Sequence, residues 1–224
     1  MDKKKNYLLV KKFCQGLGVD LFGVADIKKI RHEFVLKPEV VNNLDYAISL
    51  GIRLSQAVLQ EISDSPTRLY FHHYRQVNNA LDQVSLRLVN YIQGKGFKAL
   101  PIPASQILDW QKQTGHLSHK KIGELAGLGW LGRNNLLVNK KFGSQLRLVT
   151  ILTNFPLKAD NPGKDNCGDC FCCVKICPAG AIKNNPAEFD HLVCFEKLKD
   201  FQKQRLVDQY ICGVCVNACR SKEK

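Results

Sequence analysis

Residues 167–178 read CGDCFCCVKICP and residues 212–219 read CGVCVNAC, with Cys194 alone between them. The first stretch contains C-x2-C-x2-C-x3-C-P at Cys167, Cys170, Cys173, Cys177 and Pro178, and the second is C-x2-C-x3-C at Cys212, Cys215 and Cys219. Three thiolates on one tight loop can cap a single face of a [4Fe–4S] cube, so the fourth must come from elsewhere in the chain. Two such runs complete one another. The spacing assigns Cys167, Cys170, Cys173 and Cys219 to one cluster, and Cys177, Cys194, Cys212 and Cys215 to a second.

This is the spacing of bacterial two-cluster ferredoxins. A disulfide framework suits it poorly, because the pattern is too regular and the start of the sequence has no signal-peptide character. Zinc favours C-x2-C pairs, but a triple C-x2-C-x2-C followed by Cys-Pro is not a zinc-ribbon spacing. Cys172 is out of register and reads as a neighbour of the ligands. Cys14, on an expected helix, reads as a packed thiol.

The remaining composition bounds the answer. A chain of 224 residues can bury one good core plus a small appendage. No apolar stretch approaches a membrane span. The opening MDKKKNYLLVKKF is basic but lacks an apolar h-region and a twin-arginine pair, so the expected location is cytoplasmic. The formal charge of +13 falls to about +9 if two cubes each contribute about two negative charges. Such a balance suits an acidic redox protein, RNA or an anionic cofactor without choosing among them.

Hydrophobic periodicity predicts a helix over 2–16, strands at 21–26 and 46–54, and a short helix over 55–62. A long helix follows over 67–93, with Val77, Leu81, Val84, Leu88 and Tyr91 on one face. FKALPIP (97–103), LLVN (136–139) and QLRLVTILT (145–153) read as strands. Ahead of LLVN lies AGLGWLGRN, with Gly127, Gly129 and Gly132 around Trp130. Such a cluster admits a ligand or a neighbouring backbone, or makes a tight connection with a packed Trp. Residues 111–158 carry Lys112, Lys120, Lys121, Arg133, Lys140, Lys141, Arg147 and Lys158 against Glu124 alone. Asn161-Pro162-Gly163 punctuates the approach to the cysteines.

The motifs AGLGWLGRNNLLVNKKFGS, ILTNFPL, CGDCFCCVKICPAGAI, the lone Cys194 and CGVCVNAC, spanning about residues 120–219, resemble epoxyqueuosine reductases and, more distantly, reductive dehalogenases. RLYFHHYRQ (68–76) extends the likeness loosely upstream. The resemblance implies an α+β chain: an α/β module like those of cobalamin-dependent reductases at 1–160, then a ferredoxin-like module with two [4Fe–4S] clusters at 161–224. It also implies base-off cobalamin, with Gly127, Gly129, Trp130, Gly132, Arg133 and Asn134 as candidate contacts, and ferredoxin or flavodoxin as electron donor.

Two departures matter. The family's proposed proton donor is an Asp just after the strand that here reads FKALP, but this chain has PIPASQ, with Pro103 or Ala104 at that position. Neither can move a proton. The apparently inserted SQILDWQKQTGHLSHK (105–120) supplies Asp109, His116 and His119 as substitutes, with Tyr74, His72 and His73 as outside candidates; each also reads as an ordinary polar or capping residue. Full epoxyqueuosine reductases continue into a helical-repeat domain that helps grip tRNA, whereas this sequence runs five residues past Cys219, so nucleic acid is not the first expectation. Arg220 stands where Pro commonly follows the last cysteine, which alters a turn and not the ligation. Three functions stay open: a cobalamin-dependent reductase, an electron-transfer protein serving a corrinoid partner, and a shortened tRNA-modifying reductase.

Overall fold

The aliphatic run at 46–53 forms the centre of the fold in the computed structural model, which describes residues 2–163 and 165–220. The helices are α1 (Lys3–Gly16), α2 (Pro38–Val41), α3 (Gln56–Gln60), α4 (Arg68–Gln93), α5 (His119–Leu125), α6 (Cys172–Ile176), α7 (His191–Lys203) and α8 (Val214–Ala218). The strands are β1 (Leu21–Asp26), β2 (Tyr46–Arg53), β3 (Ala99–Ile102), β4 (Trp130–Leu131), β5 (Leu137–Val138) and β6 (Leu146–Thr153). The architecture is mixed α and β. Among the described residues no helix is long and apolar enough to cross a membrane.

The described residues part into two compact units that interleave along the sequence. One draws on Met1–Ile52, Asn78–Leu128 and Arg147–Gly163; the other draws on Arg53–Val77, Gly129–Leu146 and Lys164–Lys224.

The first unit is built on a sheet of order β1-β2-β6-β3. β1 runs antiparallel to β2, pairing Leu21 with Gly51 and Asp26 with Tyr46, and β3 runs antiparallel to β6, pairing Ala99 with Thr153. Ile48 and Leu50 of β2 and Val149, Ile151 and Leu152 of β6 are fully buried, as near-continuous aliphatic runs require when a strand is covered on both faces. Leu81, Leu88 and Ile92 of α4 are also fully buried, each worth about 1.5–3 kcal/mol of hydrophobic transfer. Tyr91 is only half-buried and stacks on Phe13 at 4.6 Å, so Ile92 ends the helix's core stripe in its place.

Two long-range ties close this unit. A Cβ on Gly23 would lie 2.2 Å from the carbonyl oxygen of Ala126, so only glycine lets β1 meet the end of α5. Asp160 accepts from the backbone N–H of Val24 at 2.9 Å and from the Tyr7 hydroxyl at 3.1 Å, while its own N–H donates to Val24 O at 2.8 Å. Burial, then the adjacent Asp160, pushes the Tyr7 phenol up to about 12, which keeps it a donor.

The second unit holds the β4–β5 pair and the short helices α3, α6 and α8 with α7. Packing of α6 on α8, and of α3 on α8, gives it a core that includes Val207, Ile211 and Val214.

Candidate metal centre

Cysteine spacing becomes geometry through turns and short helices. Gly168 at φ +49°, with its N–H on Asn166 Oδ1 at 2.7 Å, turns the chain after Cys167 so that the Cys170 N–H reaches Cys167 O at 3.1 Å. α6 then carries Cys172 and Cys173 and ends at Cys177. Asp190 caps α7 by accepting from Val193 N–H, which sets Cys194 in the first turns of that helix. Gly213, at φ +86°, opens α8 with Cys215 on it, and Cys219 closes it.

The ten cysteines form no disulfide among the described residues. Burial pushes the Cys173 thiol up to about 11, with further contributions from Cys219, Cys167 and Cys170. Cys194 is raised to about 11 by burial and then by Cys177. Cys212 is raised to about 12 by burial, with Cys194 and Cys177 adding to it. Cys215 is raised well above the ordinary range by burial, then by Cys212, Cys194, Cys177 and, more weakly, Cys173. Cys219 is raised by burial, with Cys167 and Cys170 as its thiol neighbours. The neighbours therefore sort into Cys167, Cys170, Cys173 and Cys219 on one side and Cys177, Cys194, Cys212 and Cys215 on the other, with Cys215 near Cys173 where the sets meet. Buried thiols resist ionisation unless a cation compensates, and iron bound as ligand partner supplies that charge.

Among the described residues, no three His, Cys, Asp or Glu side chains converge as a single-ion site requires. A tetrahedral zinc site draws its four sulfurs to within about 4 Å of one another. A cube with one thiolate at each iron corner spaces them farther apart. Cys172 is exposed, its thiol raised first by a hydrogen bond to Cys170, and Cys14 is a fully buried thiol pushed up to about 12.

The glycine stretch wraps the cysteine segments. Trp130 Nε1 donates to Cys167 Sγ at 3.4 Å. Arg133 donates to three carbonyls: Nε to Asn184 O at 2.6 Å, one terminal nitrogen to Cys170 O at 3.2 Å, and the other to Gly168 O at 2.9 Å. Its guanidinium also lies 4.3 Å from the Phe171 ring centroid. Asn134 donates to the Ser144 hydroxyl at 3.0 Å, and Asn135 donates to His191 Nε2 at 2.8 Å at the start of α7. A Cβ on Gly129 would lie 2.0 Å from Val138 O, and one on Gly132 would lie 2.5 Å from the Val138 side chain. These two glycines thus serve the close β4–β5 pairing. Gly127, at φ +72°, belongs to the other unit, where a Cβ would lie 2.7 Å from Asn161 O.

Sequence reasoning missed Gly143, Ser144 and Gln145. A Cβ on Gly143 would lie 2.0 Å from Cys219 O. Ser144 N–H donates to Cys219 O at 3.2 Å and its hydroxyl, beside the Cys219 thiol, favours the thiolate, and Gln145 donates to Asn217 O at 3.2 Å. The FGS triplet at 142–144 was the available signal, since a small flexible pair beside an aromatic often marks a close approach.

Most of the candidate acids and bases are otherwise engaged. His119 accepts from the Thr150 hydroxyl at Nδ1 (2.8 Å) and donates from Nε2 to Pro103 O (3.1 Å); burial holds it down at about 4. His116 Nδ1 donates to Val35 O at 3.0 Å, and Asp109 Oδ1 accepts from Gln111 and Lys112 N–H in a turn. Tyr74 is buried against Tyr70, and His73 Nε2 accepts from Ser55 N–H at 2.9 Å. Asp109, His116 and His119 belong to the first unit; Tyr74, His72 and His73 belong to the second, with the cysteines. Ala104, at the position of the missing acid, donates its N–H to Asp82 Oδ1 at 2.8 Å, and burial raises that carboxyl. The basic run is not one solvated face: Lys121 pairs with Glu33 at 2.6 Å, Arg147 donates to Asn78 at 2.9 Å, and burial lowers Lys120 to about 8.

No family model matches the chain. An epoxyqueuosine reductase of Cyclobacterium marinum is 28% identical over 254 aligned positions, covering 96% of this chain and 79% of that protein. The solved epoxyqueuosine reductase of Streptococcus thermophilus superposes with a TM-score of 0.69 at 18% identity, over 95% of this chain and 65% of that one. A catabolic reductive dehalogenase in complex with 3-bromo-4-hydroxybenzoic acid gives a TM-score of 0.72 at 18% identity, over 97% of this chain and 32% of that one. This chain therefore spans under two thirds of either solved relative. Along nearly its whole length the chain is similar in sequence to an epoxyqueuosine reductase, and its fold resembles those of epoxyqueuosine reductases and reductive dehalogenases.

Proposed function

We propose that the chain is an iron–sulfur oxidoreductase of this family that holds two [4Fe–4S] clusters, one on Cys167, Cys170, Cys173 and Cys219 and the other on Cys177, Cys194, Cys212 and Cys215. The observation that carries the reading is the segregation of eight buried or half-buried thiols into two neighbour sets. The clusters, when bound, supply one-electron chemistry with little rearrangement around them. The chain's own residues orient the thiolates, donate hydrogen bonds to them and shield them from water. We read 161–224 as the ferredoxin-like module and 1–160 as the substrate-side α/β module, working in the cytoplasm with ferredoxin or flavodoxin as donor.

Base-off cobalamin is the second cofactor we propose, on the family resemblance. The polar groups of Trp130, Arg133 and Asn134 are engaged with Cys167, the cysteine-loop carbonyls and Ser144, and the spaces beside Gly129 and Gly132 are filled by Val138. These contacts do not by themselves form a corrinoid cradle, so we assign no step through it. A second reading, electron transfer to a separate corrinoid partner, is favoured by Pro103 and Ala104, whose backbone is held by His119 and Asp82 where the family acid would stand. A relative has been solved with an epoxyqueuosine-modified tRNA stem loop, which keeps a tRNA substrate as the third reading.

Anaerobic purification with iron, sulfide and cobalt analysis tests these together. About eight irons per chain with cobalamin binding supports the reductase. Eight irons without corrinoid affinity supports the electron-transfer protein. Stoichiometric zinc in place of iron overturns both. Retention of RNA at moderate salt favours the tRNA reading.

A further inference from the structure

We propose that Trp130, Arg133 and Ser144 raise the reduction potential of the cluster on Cys167, Cys170, Cys173 and Cys219 above that of its neighbour, so that the first electron to enter rests there. This rests on the two-cluster reading above. Hydrogen bonds to ligand sulfur and nearby positive charge both favour the more negatively charged, reduced state.

The donors converge on one set. Trp130 Nε1–H points at Cys167 Sγ from 3.4 Å. The Ser144 hydroxyl lies beside Cys219 and favours its thiolate, while the Ser144 N–H donates to Cys219 O at 3.2 Å. The orientation of that hydroxyl is fixed by chemistry: Asn134 Nδ2 donates to the Ser144 oxygen at 3.0 Å, which occupies a lone pair and leaves the serine proton for sulfur. Asn134 is itself oriented, because its Oδ1 accepts from Leu136 N–H at 3.3 Å. Arg133 adds a full positive charge, fixed by its three carbonyl bonds to Gly168, Cys170 and Asn184 and by Phe171 beneath it. In the other set the Val214 N–H and the Lys197 ammonium favour the Cys212 thiolate, while the Asp190 carboxylate disfavours that of Cys194. The indole bond to Cys167, the Ser144 hydroxyl beside Cys219 and the fixed Arg133 guanidinium outweigh a backbone bond and a lysine that a nearby carboxylate offsets. The chain thus orders its own electrons: one electron passes from the external reductant to the set braced by residues 130–144, with no bond formed and no proton taken up.

The test is a dithionite titration, followed by electron paramagnetic resonance, of the anaerobically prepared full-length chain. Wild-type protein should give two separated midpoints. Ser144→Ala and Trp130→Phe should each move the higher midpoint down and leave the lower one in place, by up to tenfold in the reduction equilibrium, about 59 mV for one electron. Ser144→Thr, which keeps the hydroxyl, should restore it. Arg133→Gln should lower the same midpoint more than Arg133→Lys. Iron content reports separately on the underlying reading, since a wild-type chain without about eight irons defeats the clusters themselves. With iron complete, overlapping wild-type midpoints, an unmoved higher midpoint in the iron-replete variants, or a shift in the lower one instead would overturn the proposal.

Discussion

Cys172 and Cys173 are adjacent in sequence and opposite in character. Cys173 is buried among the thiols of its set, whereas Cys172 faces outward with its sulfur engaged by Cys170. Cys173→Ala is expected to reduce iron from about eight to about four atoms per chain, and Cys172→Ala to leave it unchanged; iron analysis of the two variants, purified anaerobically, decides between them. The reverse pattern would shift the register by one residue. Gly143 is the other sharply constrained position. At φ +59° any L-residue carries a backbone strain of about 1–2 kcal/mol, and a new Cβ would meet Cys219 O at 2.0 Å, a backbone atom that cannot swing aside. Gly143→Ala should therefore displace Cys219 and lose iron as well as thermal stability. Gly180→Ala makes the control, because that glycine also sits at positive φ (+61°) but has nothing near its Cβ position. Its melting temperature should fall modestly while its iron content holds.

At the scale of elements, α5 shows how a sequence candidate for chemistry becomes a structural tie. His119 is its first residue, and the ring links the hydroxyl of Thr150 in β6 to the carbonyl of Pro103, just past β3. Burial favours the neutral ring, whose Nδ1 accepts from Thr150 while Nε2–H donates to Pro103 O. The folded value of about 4 lies below the ordinary 6.5, which means the unfolded chain takes up the proton first as pH falls. The stability tied to the neutral ring is complete above pH 6.5 and is lost on the way down to 4, at most about 3 kcal/mol. Urea denaturation at pH 7.5 and pH 5 should show a larger loss in wild type than in His119→Asn; equal losses would mean that the ring is not enclosed. The long elements were legible beforehand for a simple reason. α4 and the strands β2 and β6 carry period-3.6 or continuous aliphatic patterns, and these are local. The short pieces α2, α6, α8 and β4 hold two to five residues, too few to show a period, and their shape follows from what they pack against. The grouping of the cysteines was legible for the same reason, since each run of them is written within a few residues. The partners of Trp130, Arg133 and Ser144 were not, being 35 to 75 residues away in sequence.

For the whole molecule, the two units stand on different physics. The first has a four-stranded sheet with fully buried aliphatic residues in β2 and β6, and its stability is that of an ordinary hydrophobic core. The second relies on helices of five residues, α3, α6 and α8, which are marginal in isolation. It also collects thiols that burial pushes up to about 11 or 12, groups whose conversion to thiolate needs cationic partners. If iron supplies those partners, its binding free energy is folding free energy for that unit above all. Removing iron with a chelator and oxidant under argon should therefore speed amide hydrogen exchange across 166–219 and 129–146, while β1, β2, β3 and β6 keep most of their protection. Exchange followed by peptide mass spectrometry reads both units in one experiment. Equal protection with and without iron would mean that packing alone holds the cysteine segments, and uniform loss would mean that the sheet, too, depends on the metal. The expected split follows from where the aliphatic residues went: β2 and β6 hold them, and the cysteine loops have thiols instead.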